Sequence, residues 1–138
     1  MSIRKLDCIC IVDDDEIYTF LLKKALKKLD ICNEISIYIN GQEAIDSIKQ
    51  IIETNQILPD IILLDINMPL LDGWEFLDEY IKIKNKLTKE ISIYIASSSI
   101  SIGDINKAKD HKEVIDFLVK PINVDTLLKI SALLTENG

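Results

Sequence analysis

Five times along this chain a short run of apolar residues gives way to a stretch with helical period. The runs are "CICIV" (8–12), "EISIYI" (34–39), "IILLD" (61–65), "ISIYIASSS" (91–99) and "IDFLV" (115–119). A strand that is apolar at consecutive positions has both faces covered, which is the signature of a parallel sheet with helices on each side. "IILLD" is the clearest case, so the third strand is expected at the centre. The intervening segments supply the helices. Ile17, Leu21, Ala25 and Leu29 recur at helical spacing in the first, Ala44, Ile45, Ile48 and Ile52 in the second, and Trp74, Leu77 and Ile81 in the third. "GDINKAKDH" reads as a short fourth helix and "NVDTLLKISALL" as the last, with Asn123 or Asp125 near its start. Five strands alternating with five helices predict an α/β fold with right-handed crossovers.

The chain has 138 residues, 48% of them hydrophobic, enough for one core and too few for two ordinary domains. Residues 1–138 are therefore read as a single domain. No apolar run approaches the roughly 18 residues of a membrane span. The apolar stretch after Arg4 and Lys5 ends at Val12, too short for a signal-peptide core. A cytoplasmic, non-membrane protein is expected. Sixteen basic against 23 acidic residues leave a net charge of −7, which opposes a sequence-independent grip on nucleic acid. Cys8, Cys10 and Cys32 have no framework spacing and are read as reduced thiols, with Cys8 and Cys10 expected on opposite faces of their strand.

In an open parallel sheet ligands bind beyond the carboxyl ends of the strands. Those ends carry Asp13, Asp14 and Asp15 after the first strand, Asp65 after the third, Ser97 to Ser99 after the fourth and Lys120-Pro121 after the fifth. Adjacent carboxylates partly removed from water require a compensating charge. Three carboxylate oxygens with a backbone carbonyl and waters form a hard octahedral site suited to Mg²⁺ or Mn²⁺. A carboxylate beside such an ion and a lysine can act as a nucleophile on phosphorus, giving an aspartyl phosphate.

"VDDD", "LLDINMPLLDG", "ASSS" and "FLVKP", in this order and spacing, resemble the receiver domains of two-component signalling, the CheY-like response regulators, from near Lys5 through Leu134. The resemblance implies a doubly wound, flavodoxin-like sheet of strand order 2-1-3-4-5. It assigns the phosphoacceptor to Asp65 and the phosphate-pairing lysine to Lys120. It makes Asp14 and Asp65 metal ligands, gives Asp13 a metal-bound water or a direct bond, and uses the backbone carbonyl of Asn67. Ser97 matches the phosphate-sensing hydroxyl; Ser98 would take that place if the following loop were one residue shorter. Phe117 matches the switch aromatic, an exposed ring expected to swing inward on phosphorylation, and the Lys120-Pro121 peptide is expected to be cis. The implied partners are a histidine kinase or histidine phosphotransfer protein and a downstream protein target, without direct contact to nucleic acid. With no output domain after the closing helix, such a regulator would bind another protein or pass its phosphate onward. Its own chemistry would be limited to Mg²⁺-dependent self-phosphorylation and slow hydrolysis of the acyl phosphate.

Two other functions compete. Asp13 and Asp15 form an Asp-x-Asp pair after the first strand, as in Mg²⁺-dependent phosphatases of the haloacid-dehalogenase-like class, but that reading leaves Asp65 unexplained and lacks a late acidic motif. A docking module that is never phosphorylated is the other, although every phosphorylation position is filled. Among the remaining candidates, Asp15 and Glu16 suit a helix N-terminus and Asp72 a helix cap. Lys23, Lys24, Lys27 and Lys28 suit a solvated helix face, and His111 a solvated loop. Trp74 and Phe76 suit either packing or partner contact.

Overall fold

The apolar runs form a five-stranded, wholly parallel sheet in the order β2-β1-β3-β4-β5. The structure, a computed structural model, describes residues 5–136. Its elements are β1 (Leu6–Val12), α1 (Glu16–Leu29), β2 (Cys32–Tyr38), α2 (Gly41–Thr54), β3 (Ile61–Leu64), α3 (Gly73–Ile83), β4 (Ser92–Ser97), α4 (Ile102–Ala108), β5 (Val114–Val119) and α5 (Val124–Glu136). A single 3₁₀ turn at Lys84–Lys86, which the periodicity does not anticipate, follows α3.

Side chains alternate across a strand, so consecutive apolar residues feed two cores. Ile62 and Leu64 of β3 face α2 and α3, together with Cys10, Val12, Ile45, Ile48, Phe76, Leu77 and Ile93. Ile61 and Leu63 face α1 and α5, together with Ile9, Ile11, Leu22, Leu26, Leu127 and Ile130. Burying each such side chain contributes about 1.5–3 kcal/mol, which is why β3 needs only four residues to hold the centre of the sheet.

Local chemistry sets the helix starts. Asp15, Asn40, Asp72 and Ser101 each accept the amide three residues ahead, and Asp72 with Glu75 and Ser101 with Asp104 form complete capping boxes. Asn123 rather than Asp125 caps α5, accepting the Thr126 amide at 2.8 Å.

Three packing expectations are corrected. In α1 the buried residues are Thr19, Leu22 and Leu26, whereas Ile17 and Leu21 are exposed. Apolar residues fill several turns of this helix, so spacing alone admits two stripes, and the sheet selects the one through Tyr18, Leu22 and Leu26. In α3 the core takes Trp74, Phe76, Leu77, Tyr80 and Ile83 and leaves Ile81 exposed. Trp74 and Phe76 are therefore packing residues. Cys8 and Cys10 line one cleft with Ile48 and Ile51, because residues two apart on a strand share a face. Burial pushes the Cys10 thiol up to about 12 and the Cys32 thiol to about 11, which keeps both protonated at neutral pH.

His111 is also not a solvated residue. It is half-buried and stacks on Trp74, with ring centroids 5.5 Å apart and planes at 30°, and Lys107 lies over the same indole. These contacts tie α4, whose only buried residue is Ala108, to the start of α3.

Candidate functional site

The paired strands β1 and β3 bring the acids together through their own ladder. The Asp65 amide donates to the Val12 carbonyl at 2.9 Å, so the residue leaving β3 lies beside the residue leaving β1. Asp13 and Asp65 are buried and Asp14 is exposed, and one carboxylate oxygen from each lies within 4.8 Å of the others. Asp13 is fixed further by its own turn, its Oδ1 accepting the Asp15 amide at 2.9 Å.

From the far side, the Lys120 amide donates to the Ser97 carbonyl at 2.9 Å, which anchors the lysine to the end of β4. The Lys120-Pro121 peptide is cis, as expected. The Lys120 ammonium is ion-paired to Asp13 Oδ2, lies 3.5 Å from Asp65 Oδ1, and sits 4.6 Å from the centroid of the Tyr18 ring. One cation thus serves two buried acids, a balance that leaves net negative charge.

Asp65 registers that deficit. Burial first, then the Asp13 charge, raises its pKa above the usual 3.8, against the lowering effects of Lys120 and of the Asn67 and Ile66 amides. Three hard oxygens around an under-compensated pocket match the donor set of a small divalent cation. Asp15, by contrast, turns away to cap α1, its Oδ1 accepting the Tyr18 amide at 3.0 Å. That geometry removes half of the Asp-x-Asp pair on which the phosphatase reading depends.

Ser97 closes β4 as a buried residue and Ser98 is exposed. The Ser97 hydroxyl donates to the Ser99 carbonyl at 2.8 Å rather than to Asp65. Phe117 lies opposite Ile95 in β5 and already packs against the α2–α3 core, half-buried rather than exposed. The strand's alternation turns Phe117 toward this core.

Two residues near the site make contacts that the sequence reading does not assign. Gly73 begins α3 directly against the acid, and a Cβ there would stand 2.5 Å from the Asp65 carbonyl oxygen, so only glycine fits this approach. Tyr18 is the other. An aromatic residue one turn into a helix has many uses, and only the fold reveals that it covers Lys120.

Comparison with known proteins agrees with this geometry. Residues 9–132 match the family described as response regulator receiver domain. The probable methanogenesis regulatory protein FilR2 of Methanothrix harundinacea is 28% identical over 119 residues, which are 86% of this chain and 75% of that protein. The chain spans about half or less of the length of several other relatives that it matches. A two component response regulator from Cytophaga hutchinsonii superposes with a TM-score of 0.86 at 27% identity, covering 98% of this chain and 100% of that one. The Mn²⁺-bound form of response regulator Rcp1 gives a TM-score of 0.73 at 27% identity over 96% of each chain. Among the described residues no helix is long and apolar enough to cross a membrane. With the family match spanning most of the chain and the strand order 2-1-3-4-5 matching the fold of these structural neighbours, the chain belongs to the response regulator receiver domain family of two-component signalling.

Proposed function

We propose that residues 1–138 act as a single cytoplasmic receiver domain that accepts a phosphoryl group on Asp65 from a histidine kinase or histidine phosphotransfer protein and thereby changes its affinity for a downstream protein. The observation that carries this reading is the Lys120 ammonium held between Asp13 and Asp65 where three strand ends meet. An Asp65 carboxylate oxygen attacks phosphorus in the donor phosphohistidine. The P–O bond forms as the P–N bond breaks, and the imidazole leaves with the electron pair and takes a proton from solvent. Lys120 follows the charge onto the phosphoryl oxygens, while Asp13 keeps the ammonium in the pocket. Slow hydrolysis reverses the modification, as water attacks phosphorus and the Asp65 carboxylate departs.

Asp13, Asp14 and Asp65, with the Asn67 backbone carbonyl, would hold Mg²⁺ or Mn²⁺, and the Mn²⁺-bound state of Rcp1 supports that assignment. When bound, the ion supplies positive charge that stabilises the phosphoryl oxygens. A phosphoryl group on Asp65 adds charge and acceptors that draw the Ser97 hydroxyl away from Ser99, with β5 and the half-buried Phe117 adjusting behind it.

The test is calorimetric titration with Mg²⁺ together with phosphotransfer from candidate histidine-phosphorylated donors. Asp14→Asn is expected to weaken Mg²⁺ binding at least about tenfold, since it removes one of three charged ligands. Unchanged affinity would count against this metal site.

A further inference from the structure

We infer that Tyr18 is a positioning residue for Lys120, its ring serving as the wall along which the ammonium moves between Asp13 and Asp65; the inference rests on Asp65 being the phosphoacceptor. Lysine carries its charge on a flexible four-carbon stem, and in the resting site the closer partner is Asp13, with Asp65 at 3.5 Å. The ammonium must nevertheless reach a phosphoryl group formed on Asp65. The Tyr18 ring, 4.6 Å from Nζ, lies within the distance at which an aromatic face attracts a cation. The Lys120 side chain is only 14% exposed, so this ring takes the place of much of the water that would otherwise hydrate the charge. Attraction to a π-face has no single acceptor atom. The ammonium can slide across it from one carboxylate to the other without returning to solvent.

The placement of Tyr18 is independent of its hydroxyl. Its amide is held by the Asp15 cap, its ring packs against the α1–α5 core, and its hydroxyl oxygen is buried without a hydrogen-bond partner. What Tyr18 offers Lys120 is therefore the ring face, and phenylalanine should replace it whereas an aliphatic residue should not.

The experiment uses the full chain with Mg²⁺ and phosphoramidate, following the initial rate of phosphorylation. Tyr18→Leu is expected to lower the rate about three- to tenfold, the range an ordinary cation–π contact corresponds to, and Tyr18→Phe to stay within about twofold of the parent. In a Lys120→Ala background Tyr18→Leu should cause no further loss, because the residue it positions is gone. A purely structural role would lower the rate in both backgrounds and would overturn the inference, as would equal damage from Phe and Leu or no effect of Leu. Proton NMR of the parent supplies a check that needs no destabilised variant. The Lys120 ε-methylene protons should be shifted upfield by the ring in both parent and Tyr18→Phe, and shifts typical of a free lysine would contradict the placement. Asp65→Asn separates the two readings: if it takes up phosphate like the parent, the phosphoacceptor assignment fails, while the NMR result still decides the position of Lys120.

Discussion

The inner strands and the outer edge of the sheet are built to different standards. Ile61 to Leu64 of β3 are at most 2% exposed, and the acids that follow β1 and β3 extend from strands locked between two cores. At the other edge Ile115 and Val119 of β5 are 54% and 62% exposed, Ile102 of α4 is 78% exposed, and Ala108 alone anchors that helix in the core. Lys120 and Ser97 stand at the seam, tied to each other through backbone and to the acids through one ammonium. The site therefore joins a densely packed side of the sheet to a lightly packed one.

Truncation should separate the regions most. Leu64→Ala is expected to cost about 2–5 kcal/mol in urea unfolding and Ile102→Ala no more than about 0.5 kcal/mol. Comparable losses at both positions would erase the contrast. Next come the glycines. Gly73→Ala drives a Cβ against the Asp65 carbonyl oxygen and should cost about 1–3 kcal/mol while displacing the Asp65 amide resonance. At Gly103 of α4 a Cβ meets nothing closer than Ser101 Oγ at 3.6 Å, so Gly103→Ala should be neutral or stabilise by up to about 1 kcal/mol through helix propensity.

A pH series probes the densely packed side. The folded state raises the Asp65 pKa above 3.8, chiefly by burial and then by Asp13, so the charged carboxylate opposes folding at neutral pH. That penalty is fully present above the folded pKa and fades as pH falls through it towards 3.8. In metal-free buffer Asp65→Asn should raise Tm at pH 7, and the gain should shrink as pH falls towards 3.8. A gain that grew on acidification would contradict the sign. The smallest effect concerns the lightly packed side. His111→Ala removes the stack on Trp74 and should cost about 0.5 kcal/mol globally, yet speed hydrogen exchange in α4 more than in β3.

Much of this contrast was legible in the sequence, for physical reasons. "IILLD" reads as a doubly covered strand because its four consecutive apolar residues follow Pro59-Asp60 and are too few for a helix, and acids at two strand ends imply a shared site. The α1 stripe was not legible: Ile17, Phe20 and Leu21 are as apolar as Leu22 and Leu26, and only the helix's rotation against the sheet decides which are covered. The packing of His111 was not legible, because its neighbours in sequence are charged while its neighbour in space is Trp74. Asp65 and Gly73 share one motif, yet their close approach appears only once the loop between them is folded, and the roof that Tyr18 makes over Lys120 depends on contact between separate segments, which no local pattern encodes.

The central claim is that Asp65 is the residue that takes the phosphoryl group. Phosphorylating the full chain with phosphoramidate and Mg²⁺, trapping the acyl phosphate by borohydride reduction and mapping the reduced residue by peptide mass spectrometry tests it most directly. The reduced residue should be Asp65 alone in the parent, with no modification in Asp65→Asn. Modification of Asp13 or Asp14 in the parent, or undiminished uptake in Asp65→Asn, would contradict it.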